Sequence, residues 1–400
     1  MATIAILGTL DSKGHEHKFV ADIIKANGHT PLLIDVGSGD TPQVTPDITR
    51  EEVARIAKID LDTIIARQDR GECVTAMSQA APVVLDHLYQ QQKIDGVISL
   101  GGGGGTAIGT AGMRALPIGF PKLMVSTLAS GNTAHYVGTK DITMMPSVVD
   151  VAGLNRISKK IFTNAANAIS AMVTAKQDTA DAKPIIVASM FGNTTDCINI
   201  AKEVLEDAGY EVLVFHATGI GGKTMEAIIE SGMVAGVLDL TTTEWADEVL
   251  EATLSAGPTR MDAMTKMNIP AVVAPGCVDM ANFGEPDTIP EKFKDRCFYY
   301  HNPQVTLMRT NTEECKAIGK VLATKSNANS APTTIMLPLK AISIINAEGQ
   351  PFYDKEADAA LFNEIRDHAT VEVLEFNEEI NSPVFAKACA QKLLTLIEKD

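Results

Sequence analysis

The fold of this chain is decided by the stretch VISLGGGGGT at residues 97–106. An apolar strand pattern ends in five consecutive glycines, and an Ala/Gly/Met-rich helical pattern follows at residues 107–116. Because glycine has no Cβ, several backbone N–H groups can converge on one anion, and a helix N-terminus adds partial positive charge. The stretch predicts a strand, an anion-binding loop and a helix start. A flexible linker is the alternative, although linkers do not normally join a buried strand directly to a helix.

The glycine spacing itself identifies no particular ligand. Residues 101–105, the first glycine loop, match neither the GxGxxG pattern of dinucleotide-binding folds nor the GxxxxGK[ST] pattern of P-loops. The expectation of a bound phosphate or carboxylate therefore rests on backbone chemistry.

Short apolar runs and helical patterns alternate on either side of this stretch. The strand-like runs in the first part of the chain are residues 4–7, 32–36, 96–100 and 122–126, and the helical patterns are 15–27 and 71–92. Apolar strands separated by helices of this length are typical of a parallel sheet covered on both faces. They predict a first Rossmann-like lobe over residues 1–175, which carries the first glycine loop.

The same alternation restarts after a small, polar and charged segment at residues 174–184, which is predicted to be a hinge. A second Rossmann-like lobe is expected over residues 184–400. Its C-terminal section, after the polar stretch 324–333, should complete the second sheet, because about 70 residues alone would form only a marginal core. The predicted fold class is α/β, with two Rossmann-like doubly wound lobes, predominantly parallel sheets and an interlobe cleft.

Composition excludes several classes of function. The 400 residues include 50 acidic and 34 basic side chains, and the formal charge of −16 argues against a nucleic-acid surface. No apolar stretch reaches about 18 residues and the start lacks a charged leader, so a cytoplasmic protein without a membrane span is expected. The six cysteines form no CxxC pair and the eight histidines no metal-ligand spacing, so we expect reduced thiols and no metal-ligating cluster.

A charged loop follows the first predicted strand. Residues 8–15, the Lys13 segment, lie at the carboxyl end of that strand, which is the ligand-facing edge of an open α/β sheet. Lys13 could contact a phosphate, Asp11 could hold Mg²⁺ through water, and Thr9 adds a hydroxyl. The alternative is a capped helix start with a surface ion pair. A ligand role is favoured because the first glycine loop should emerge on the same edge.

Two further strand ends could contact a nucleotide. Asp35 ends the second strand, 21 residues after Gly14, where dinucleotide-binding folds often hold a ribose, but an ordinary strand-end aspartate is as good an explanation. Ser130, Gly131 and Asn132 supply hydrogen-bonding groups after the fourth strand, although a capped turn also explains them. The predicted nucleotide site consists of Thr9, Asp11, Lys13, Asp35, Gly102, Gly103, Gly104, Gly105, Thr106, Ser130, Gly131 and Asn132.

A second glycine-rich loop occurs in the second lobe. Residues 216–224 read HATGIGGKT, which resembles a P-loop except that Ala217 stands where glycine is required. Backbone N–H groups, a lysine and a helix N-terminus together favour an anion, which could be the carboxylate or phosphate of a second substrate. The candidates for this second anion are Gly219, Gly221, Gly222, Lys223, Thr224, His301 and Arg309, of which His301 could instead cap a loop.

Two cysteines follow predicted strands of the second lobe. Cys197 falls in the first turn of a predicted helix, where the helix dipole would lower the pKa of its thiol. Cys277 follows another strand. Both could act as nucleophiles or acid/base groups, but buried structural cysteines are commoner.

Six segments of the chain carry a family resemblance. They are residues 8–14, 100–106, 128–132, 147–155, 215–222 and 300–303. Together they resemble the uncharacterised bacterial, fungal and plant proteins related to the ATP-binding N-terminal region of the tomato mosaic virus resistance protein. The resemblance implies two Rossmann-like subdomains, ATP with Mg²⁺ at the lobe that carries the glycine run, and a homodimer. It implies no known reaction, and Ser12 and Lys223 replace the threonine and arginine common in the family.

The leading hypothesis is a cytosolic ATP-binding protein, an enzyme that acts on a small acidic metabolite in the interlobe cleft. One alternative is a cofactor-independent enzyme resembling racemases and isomerases, which would use Cys197 and Cys277. That mechanism needs one thiol from each lobe, whereas Cys73, the single cysteine of the first lobe, lies in a helical pattern away from a strand end. The other alternative is a non-catalytic sensor or interaction module that uses ATP to set its conformation.

Overall fold

Apolar side chains point to both faces of β1 (Thr3–Gly8), an interior strand of the first lobe. In the computed structural model, which describes residues 1–175 and 182–398, Ala5 and Leu7 belong to one apolar cluster, and Ile4 and Ile6 belong to another. A strand that is buried on both sides must be covered by helices on both faces. This requirement gives the first lobe its three layers.

The first lobe is built around a five-stranded parallel sheet with the order β2-β1-β3-β4-β5. Its other strands are β2 (Thr30–Asp35), β3 (Gly96–Gly101), β4 (Lys122–Ser126) and β5 (Thr143–Pro146). Its helices are α1 (Leu10–Ala26), α2 (Arg50–Ala57), α3 (Leu61–Ala66), α4 (Arg70–Gln90), α5 (Gly103–Ala115), α6 (Ala134–Val137) and α7 (Arg156–Met172).

The strand order reverses between β1 and β3. Helices α1 and α7 pack on one face of the sheet, and α2, α4 and α5 pack on the other. The carboxyl ends of the strands are nearly level, since Gly8 pairs with Asp35 and Gly101 pairs with Ser126. Loops that leave β1 and β3 toward opposite faces open a crevice, which is where ligands bind in folds of this kind.

The second lobe repeats this plan with six parallel strands in the order β14-β13-β9-β8-β6-β7. These strands are β6 (Ile185–Met190), β7 (Glu211–His216), β8 (Val234–Thr241), β9 (Ala271–Gly276), β13 (Thr333–Pro338) and β14 (Glu372–Phe376). The helices are α8 (Thr195–Asp207), α9 (Ile220–Ile229), α10 (Glu244–Leu250), α11 (Asp262–Met267), α12 (Thr312–Ala328), α13 (Lys355–His368) and α14 (Pro383–Ile397).

A small antiparallel sheet, which the sequence analysis did not predict, follows β9. It has the order β10-β12-β11 and consists of β10 (Met280–Phe283), β11 (Phe298–Asn302) and β12 (Val305–Arg309). Cys277, between β9 and β10, has a positive φ of 59°, so the chain turns sharply there. Side chains of this small sheet, including Met280 and Leu307, form a separate apolar cluster with Cys277, Ile345 and Phe352.

The predicted fold class is confirmed: the protein is α/β, with two Rossmann-like lobes built on parallel sheets. The chain divides into two compact units, Met1–Thr179 and Ala180–Asp400. Residues 176–181 of the predicted hinge lie outside the described residues. The interlobe cleft stays a prediction.

Candidate functional site

The first glycine loop begins a helix that has no side-chain cap. Gly102, the N-cap residue of α5, has an extended backbone, and the helix begins at Gly103. The first helical hydrogen bond runs from the N–H of Thr106 to the carbonyl of Gly102, over 2.8 Å. The N–H groups of Gly103, Gly104 and Gly105 therefore have no acceptor within the helix. They form a ready site for an anion, at the positive end of the helix dipole.

The glycines of this loop have different reasons to be glycine. A Cβ added to Gly101 would lie 2.8 Å from the Cα of Gly105, so backbone packing excludes a side chain there. A Cβ added to Gly103 would meet nothing within 4 Å. Gly103 is also exposed and has no left-handed φ. Its missing side chain serves neither packing nor backbone conformation, and it leaves room for a ligand to approach the amides.

The Lys13 segment forms the start of α1. Thr9 is the N-cap residue, and Lys13 interrupts the helix with non-helical dihedrals (φ −129°, ψ 20°). The Oδ2 atom of Asp11 accepts hydrogen bonds from the N–H groups of Ser38 (3.1 Å) and Gly39 (2.7 Å). Asp11 therefore ties the loop after β2 to the start of α1.

Asp35 lies beneath this segment. It is fully buried, and its Oδ1 atom accepts hydrogen bonds from the N–H groups of Leu10 (3.0 Å) and Gly37 (2.9 Å). Its Oδ2 atom has no hydrogen-bond partner among the described residues, and burial raises the pKa of the carboxyl. Asp35 therefore joins the start of α1 to the loop after β2 through hydrogen bonds inside the protein. Its contact with a ribose stays a prediction.

The Lys13 segment and the first glycine loop line one cavity of about 780 Å³. The start of α4 and the loop after β2 complete its wall. The ionisable groups on the wall include Asp11, Lys13, Arg70 and Asp150. The cavity lies at the reversal between β1 and β3, so the structure brings together the two loops that the sequence analysis expected on one edge.

Charged groups on this wall remain available for a ligand. Lys13 and Arg70 have side chains without a hydrogen bond or ion pair among the described residues, and so does Asp150. Two cations beside free backbone amides favour phosphate. Three carboxylates line the same wall. Asp69 caps the start of α4, and Asp11 and Asp150 supply oxygen ligands of the kind that Mg²⁺ prefers.

The other predicted nucleotide contacts lie away from the cavity wall. The hydroxyl of Thr106 is buried 2.7 Å from that of Ser126, so it anchors α5 to β4. Ser130, Gly131 and Asn132 form an exposed turn after β4, where Asn132 Oδ1 accepts the N–H group two residues later (3.1 Å). The structure does not bring this turn into the cavity.

The second glycine loop (residues 219–224) already has an anion, which is a side chain of the protein. Glu244 is buried, and its Oε1 atom accepts hydrogen bonds from the N–H groups of Gly219 (2.7 Å) and Gly222 (3.0 Å). A Cβ added to Gly222 would lie 2.1 Å from Glu244 Oε2. Two of the amides that the sequence analysis assigned to an external anion, those of Gly219 and Gly222, are therefore occupied.

Backbone geometry explains the rest of this glycine pattern. A Cβ added to Gly221 would lie 1.7 Å from the carbonyl oxygen of His216, and Gly219 has a φ of +81°. The hydroxyl of Thr224 donates a hydrogen bond to the carbonyl of Ile220 (2.8 Å). Lys223 is exposed. The likeness to a P-loop follows from close packing around Glu244.

Glu244 belongs to a buried ion-pair network centred on Arg260. The Nε atom of Arg260 contacts Glu244 Oε2 (2.7 Å), and its two terminal nitrogens each contact a carboxylate oxygen of Asp239 (2.7 Å). Glu226 lies 3.2 Å away. Burial opposes the charge of Arg260, but attraction from the three carboxylates outweighs it and raises the pKa of the guanidinium.

Arg309 and His301 do not form a second anion clamp with this loop. Arg309 is buried, pairs with Asp358 (2.5 Å) and donates to the carbonyl of Phe352 (2.8 Å). These partners occupy its guanidinium. His301 lies exposed on β11, with its ring 6.5 Å from that of Tyr299.

Neither strand-end cysteine is a thiolate. Cys197 is buried in the first turn of α8, and burial raises the pKa of its thiol to about 12. The expected lowering of that pKa is wrong, because desolvation outweighs the helix dipole. Burial also raises the pKa of Cys277 well above its usual value. All six cysteines are free.

Two searches of the described residues, 1–175 and 182–398, gave no further site. No group of three or more His, Cys, Asp or Glu side chains in these ranges is arranged to hold a metal ion. Across the same ranges, every helix is too short or too polar to cross a membrane.

The chain matches two consecutive domain descriptions of one protein family. The "Uncharacterised protein family (UPF0261) N-terminal domain" matches residues 2–178, and the corresponding C-terminal domain matches residues 183–397. The chain belongs to the UPF0261 family. A UPF0261 protein of Clostridium tetani is 50% identical over 400 residues, which cover 99% of each chain.

The UPF0261 relationship reaches a plant protein. The ToMV resistance protein Tm-1(GCR237) of Solanum lycopersicum is 40% identical over 342 residues, covering 82% of this chain and 45% of the tomato protein. The resemblance to its relatives is confirmed at the level of the family. Among solved structures, the Streptomyces sp. SF2575 glycosyltransferase SsfS6, complexed with thymidine diphosphate, aligns at 12% identity and a TM-score of 0.18. This similarity is too low to support a conclusion about this protein.

Sequence reasoning missed two charged residues of the cavity in this UPF0261 chain. Arg70 is the first residue of α4, behind the N-cap Asp69, and no glycine or strand end marks it in the sequence. Asp150 lies in the segment 147–155, which carried the family resemblance without an assigned role. The position of that segment after β5, at the carboxyl edge of the sheet, was the signal that could have found Asp150.

Proposed function

We propose that the first lobe binds ATP with Mg²⁺ in the cavity between β1 and β3. The observation that carries the proposal is the uncapped start of α5, whose amides at Gly103–Gly105 open onto a cavity with Lys13 and Arg70 on its wall. The triphosphate would bind these amides, and the two side chains would neutralise its charge.

The size and polarity of the cavity support a nucleotide. Its volume of about 780 Å³ falls within the range of small-molecule sites, roughly 300–1,000 Å³. Apolar side chains of Val36, Ile65, Val74 and Ile108 also reach the wall. A ligand with a polyanionic end and a flat, less polar end fits this lining.

The donor set supports Mg²⁺ as the accompanying ion. Asp11 and Asp150 offer carboxylate oxygens, and Thr9 and Ser12 offer hydroxyls, on the same wall. Bound Mg²⁺ would shield the charge of the phosphates. Asp11 would act while its Oδ2 atom holds the loop after β2, which keeps the carboxylate in one orientation.

We also propose that the protein is an enzyme that uses ATP in a reaction of a small acid. Two earlier assignments are not part of this proposal: the second glycine loop as the acid site, and Cys197 and Cys277 as catalytic groups. The second glycine loop is not offered as the acid site, because Glu244 occupies its amides. A racemase-like mechanism loses support because burial raises the pKa of both Cys197 and Cys277. A panel of small acids tests the enzyme: ADP formation with one of them supports it, and binding without turnover supports a sensor.

Homodimer formation and a cytoplasmic location belong to the same proposal. The family resemblance supports the dimer, and the six free cysteines are consistent with a reducing compartment. Light scattering during size-exclusion chromatography measures the assembly directly.

Calorimetry with ATP·Mg²⁺ tests the site through Gly103→Asp. The new Cβ meets nothing within 4 Å, and a carboxylate at a helix start is stabilising, so the variant should fold. Its charge should repel phosphate and weaken binding at least tenfold, or about 1.4 kcal/mol. The matched control is Gly192→Asp in the second lobe, where a Cβ also meets nothing within 4 Å. Equal binding by Gly103→Asp and the wild type would remove the site.

A further inference from the structure

A histidine ring fills the space that a side chain at Gly8 would need. His17 lies on α1 and is fully buried. A Cβ added to Gly8 would lie 2.1 Å from His17 Nε2, closer than any real contact. The ring is therefore packed directly against the carboxyl end of β1, where the chain enters the Lys13 segment.

The hydrogen bond of this ring fixes its tautomer. His17 Nδ1 lies 2.7 Å from the carbonyl oxygen of Lys13. A carbonyl only accepts, so Nδ1 carries the proton. Burial lowers the pKa of the imidazole and outweighs the opposing effect of the backbone carbonyls of Lys13 and Leu7, so the ring is neutral and its single proton is on Nδ1. The Nε2 atom has no hydrogen-bond partner in the described part of the chain.

Lys13 is held at both of its backbone polar groups. Its N–H donates to the carbonyl of Thr9 (2.8 Å), and its C=O accepts from His17. Between these bonds, the backbone of Lys13 leaves the helical conformation of α1 (φ −129°, ψ 20°). The N–H bond to Thr9 is the regular bond of the first turn of α1, whereas the bond to the His17 ring is an additional side-chain contact that holds the Lys13 carbonyl where the helix is interrupted. Lys13 itself lines the cavity.

We propose that His17 is a positioning residue for the nucleotide: through the Lys13 carbonyl, it holds the Lys13 ammonium toward the phosphates. This inference rests on the proposed binding of ATP·Mg²⁺. Packing alone does not account for histidine here, because an apolar side chain of similar size would fill the space without burying an unpartnered nitrogen. The Nδ1–H donor is what leucine at this position would lack.

Variants of His17 and Lys13 separate positioning from packing. His17→Leu keeps most of the volume and loses the donor, whereas His17→Asn keeps a donor at the place of Nδ1. Calorimetry should show ATP·Mg²⁺ binding about fivefold weaker for His17→Leu and close to wild type for His17→Asn. In a Lys13→Met background, His17→Leu should have no further effect, because the group that it positions is gone. His87→Leu, at an exposed position in the last turn of α4 and away from the cavity wall, serves as the control.

The outcomes distinguish the two proposals. Absence of ATP·Mg²⁺ binding by the wild type would overturn the proposed function. Binding by the wild type with undiminished affinity in folded His17→Leu, or a full additional loss in the Lys13→Met background, overturns only the role of His17. ¹⁵N NMR of the wild-type imidazoles supplies a test that does not depend on any variant folding: we expect the Nδ1–H tautomer for His17, and the Nε2–H tautomer contradicts the inference.

Discussion

The two glycine loops of this protein lie in comparable positions and have different electrostatic surroundings. Each follows a parallel strand and begins a helix of a Rossmann-like lobe. In the first, the amides of Gly103–Gly105 open onto a cavity. In the second, the amides of Gly219 and Gly222 bind the buried carboxylate of Glu244.

The difference shows what a glycine pattern encodes. Close backbone amides at a helix start favour a negative partner, and the pattern does not specify whether the partner is a ligand or a side chain. When the partner is internal, its charge must be balanced inside the protein, as Arg260 does for Glu244. When no side chain is present, the amides remain available for binding.

The largest effect is expected for Glu244→Ala. The substitution leaves two buried amides and Arg260 Nε without their partner, so the free energy of unfolding should fall by about 3–5 kcal/mol. Urea unfolding followed by the fluorescence of Trp245, the single tryptophan and buried in this lobe, measures the loss. Added formate should restore part of the lost stability of Glu244→Ala, because its carboxylate can bind the amides that Glu244 leaves free.

A matched control exists for this loss. Glu230→Ala removes an exposed ion pair with Lys266 (3.1 Å) in the same lobe, and it should cost less than about 1 kcal/mol. If Glu244→Ala were as stable as Glu230→Ala, Glu244 would not be the internal anion of this loop.

A smaller effect is expected when a methyl group is added to each loop. Gly222→Ala would push a Cβ to within 2.1 Å of Glu244 Oε2, so the stability of the second lobe should fall by about 1–3 kcal/mol. Gly103→Ala has open space, and its stability should change by less than about 0.5 kcal/mol. Urea unfolding monitored by circular dichroism compares the two. Equal losses would contradict the distinction between an occupied and an open loop.

The lysines of the two regions should differ in nucleotide binding. Lys13→Met removes a cation from the cavity wall, and the dissociation constant for ATP·Mg²⁺ should rise about tenfold, or about 1.4 kcal/mol. Lys223→Met should leave it unchanged, because the amides beside Lys223 bind Glu244. Calorimetry on both variants checks this. If the dissociation constant rose for Lys223→Met and not for Lys13→Met, the nucleotide would bind the second lobe, and the proposed site in the first lobe would be wrong.

The smallest effect concerns pH and the charge behind the second loop. Burial raises the pKa of Asp247 to about 7, so the folded state holds a proton that the unfolded state releases near pH 4. The resulting stability is present at low pH and is lost as the pH rises through about 7. Between pH 5 and 7, the contribution of Asp247 should make the free energy of unfolding of the wild type fall by about 1 kcal/mol per pH unit. Asp247→Asn should lack this part of the pH dependence.

Unfolding of the wild type and Asp247→Asn at several pH values, followed by Trp245 fluorescence, measures this slope. The control is the exposed Asp295→Asn, which should leave the slope unchanged. Equal slopes for the wild type and Asp247→Asn would mean that Asp247 is already ionised in the folded lobe.

Sequence patterns predicted what is local in the first lobe. The apolar run before Gly101 and the polar segment after Gly8 each signalled a strand that ends at the ligand-facing edge. Parallel strands then bring those ends together, so Thr9, Asp11 and Lys13 reach the cavity of the first glycine loop as expected. Alternation of strands and helices was enough for the fold class, because it fixes which surfaces must be buried.

Contacts between distant residues were beyond such patterns. Glu244 follows β8, 22 residues after Gly222, and only the parallel pairing in the second sheet brings it beneath the loop. Arg70 reaches the cavity because α4 crosses the face of the first sheet. The antiparallel sheet after β9 depends on a turn at Cys277 with positive φ. Cysteine rarely adopts this conformation, so the local sequence does not predict the turn.

The contact between Gly8 and His17 has a consequence for evolution. Since the ring occupies the place of a Cβ at position 8, neither residue can be exchanged freely while the other is kept. Drift at one position should be followed by compensation at the other, with a smaller side chain at 17 wherever position 8 gains one. Positions 8 and 17 should therefore covary among descendants of a common ancestor, and a designed chain that copies only one of them would inherit a clash or a hole.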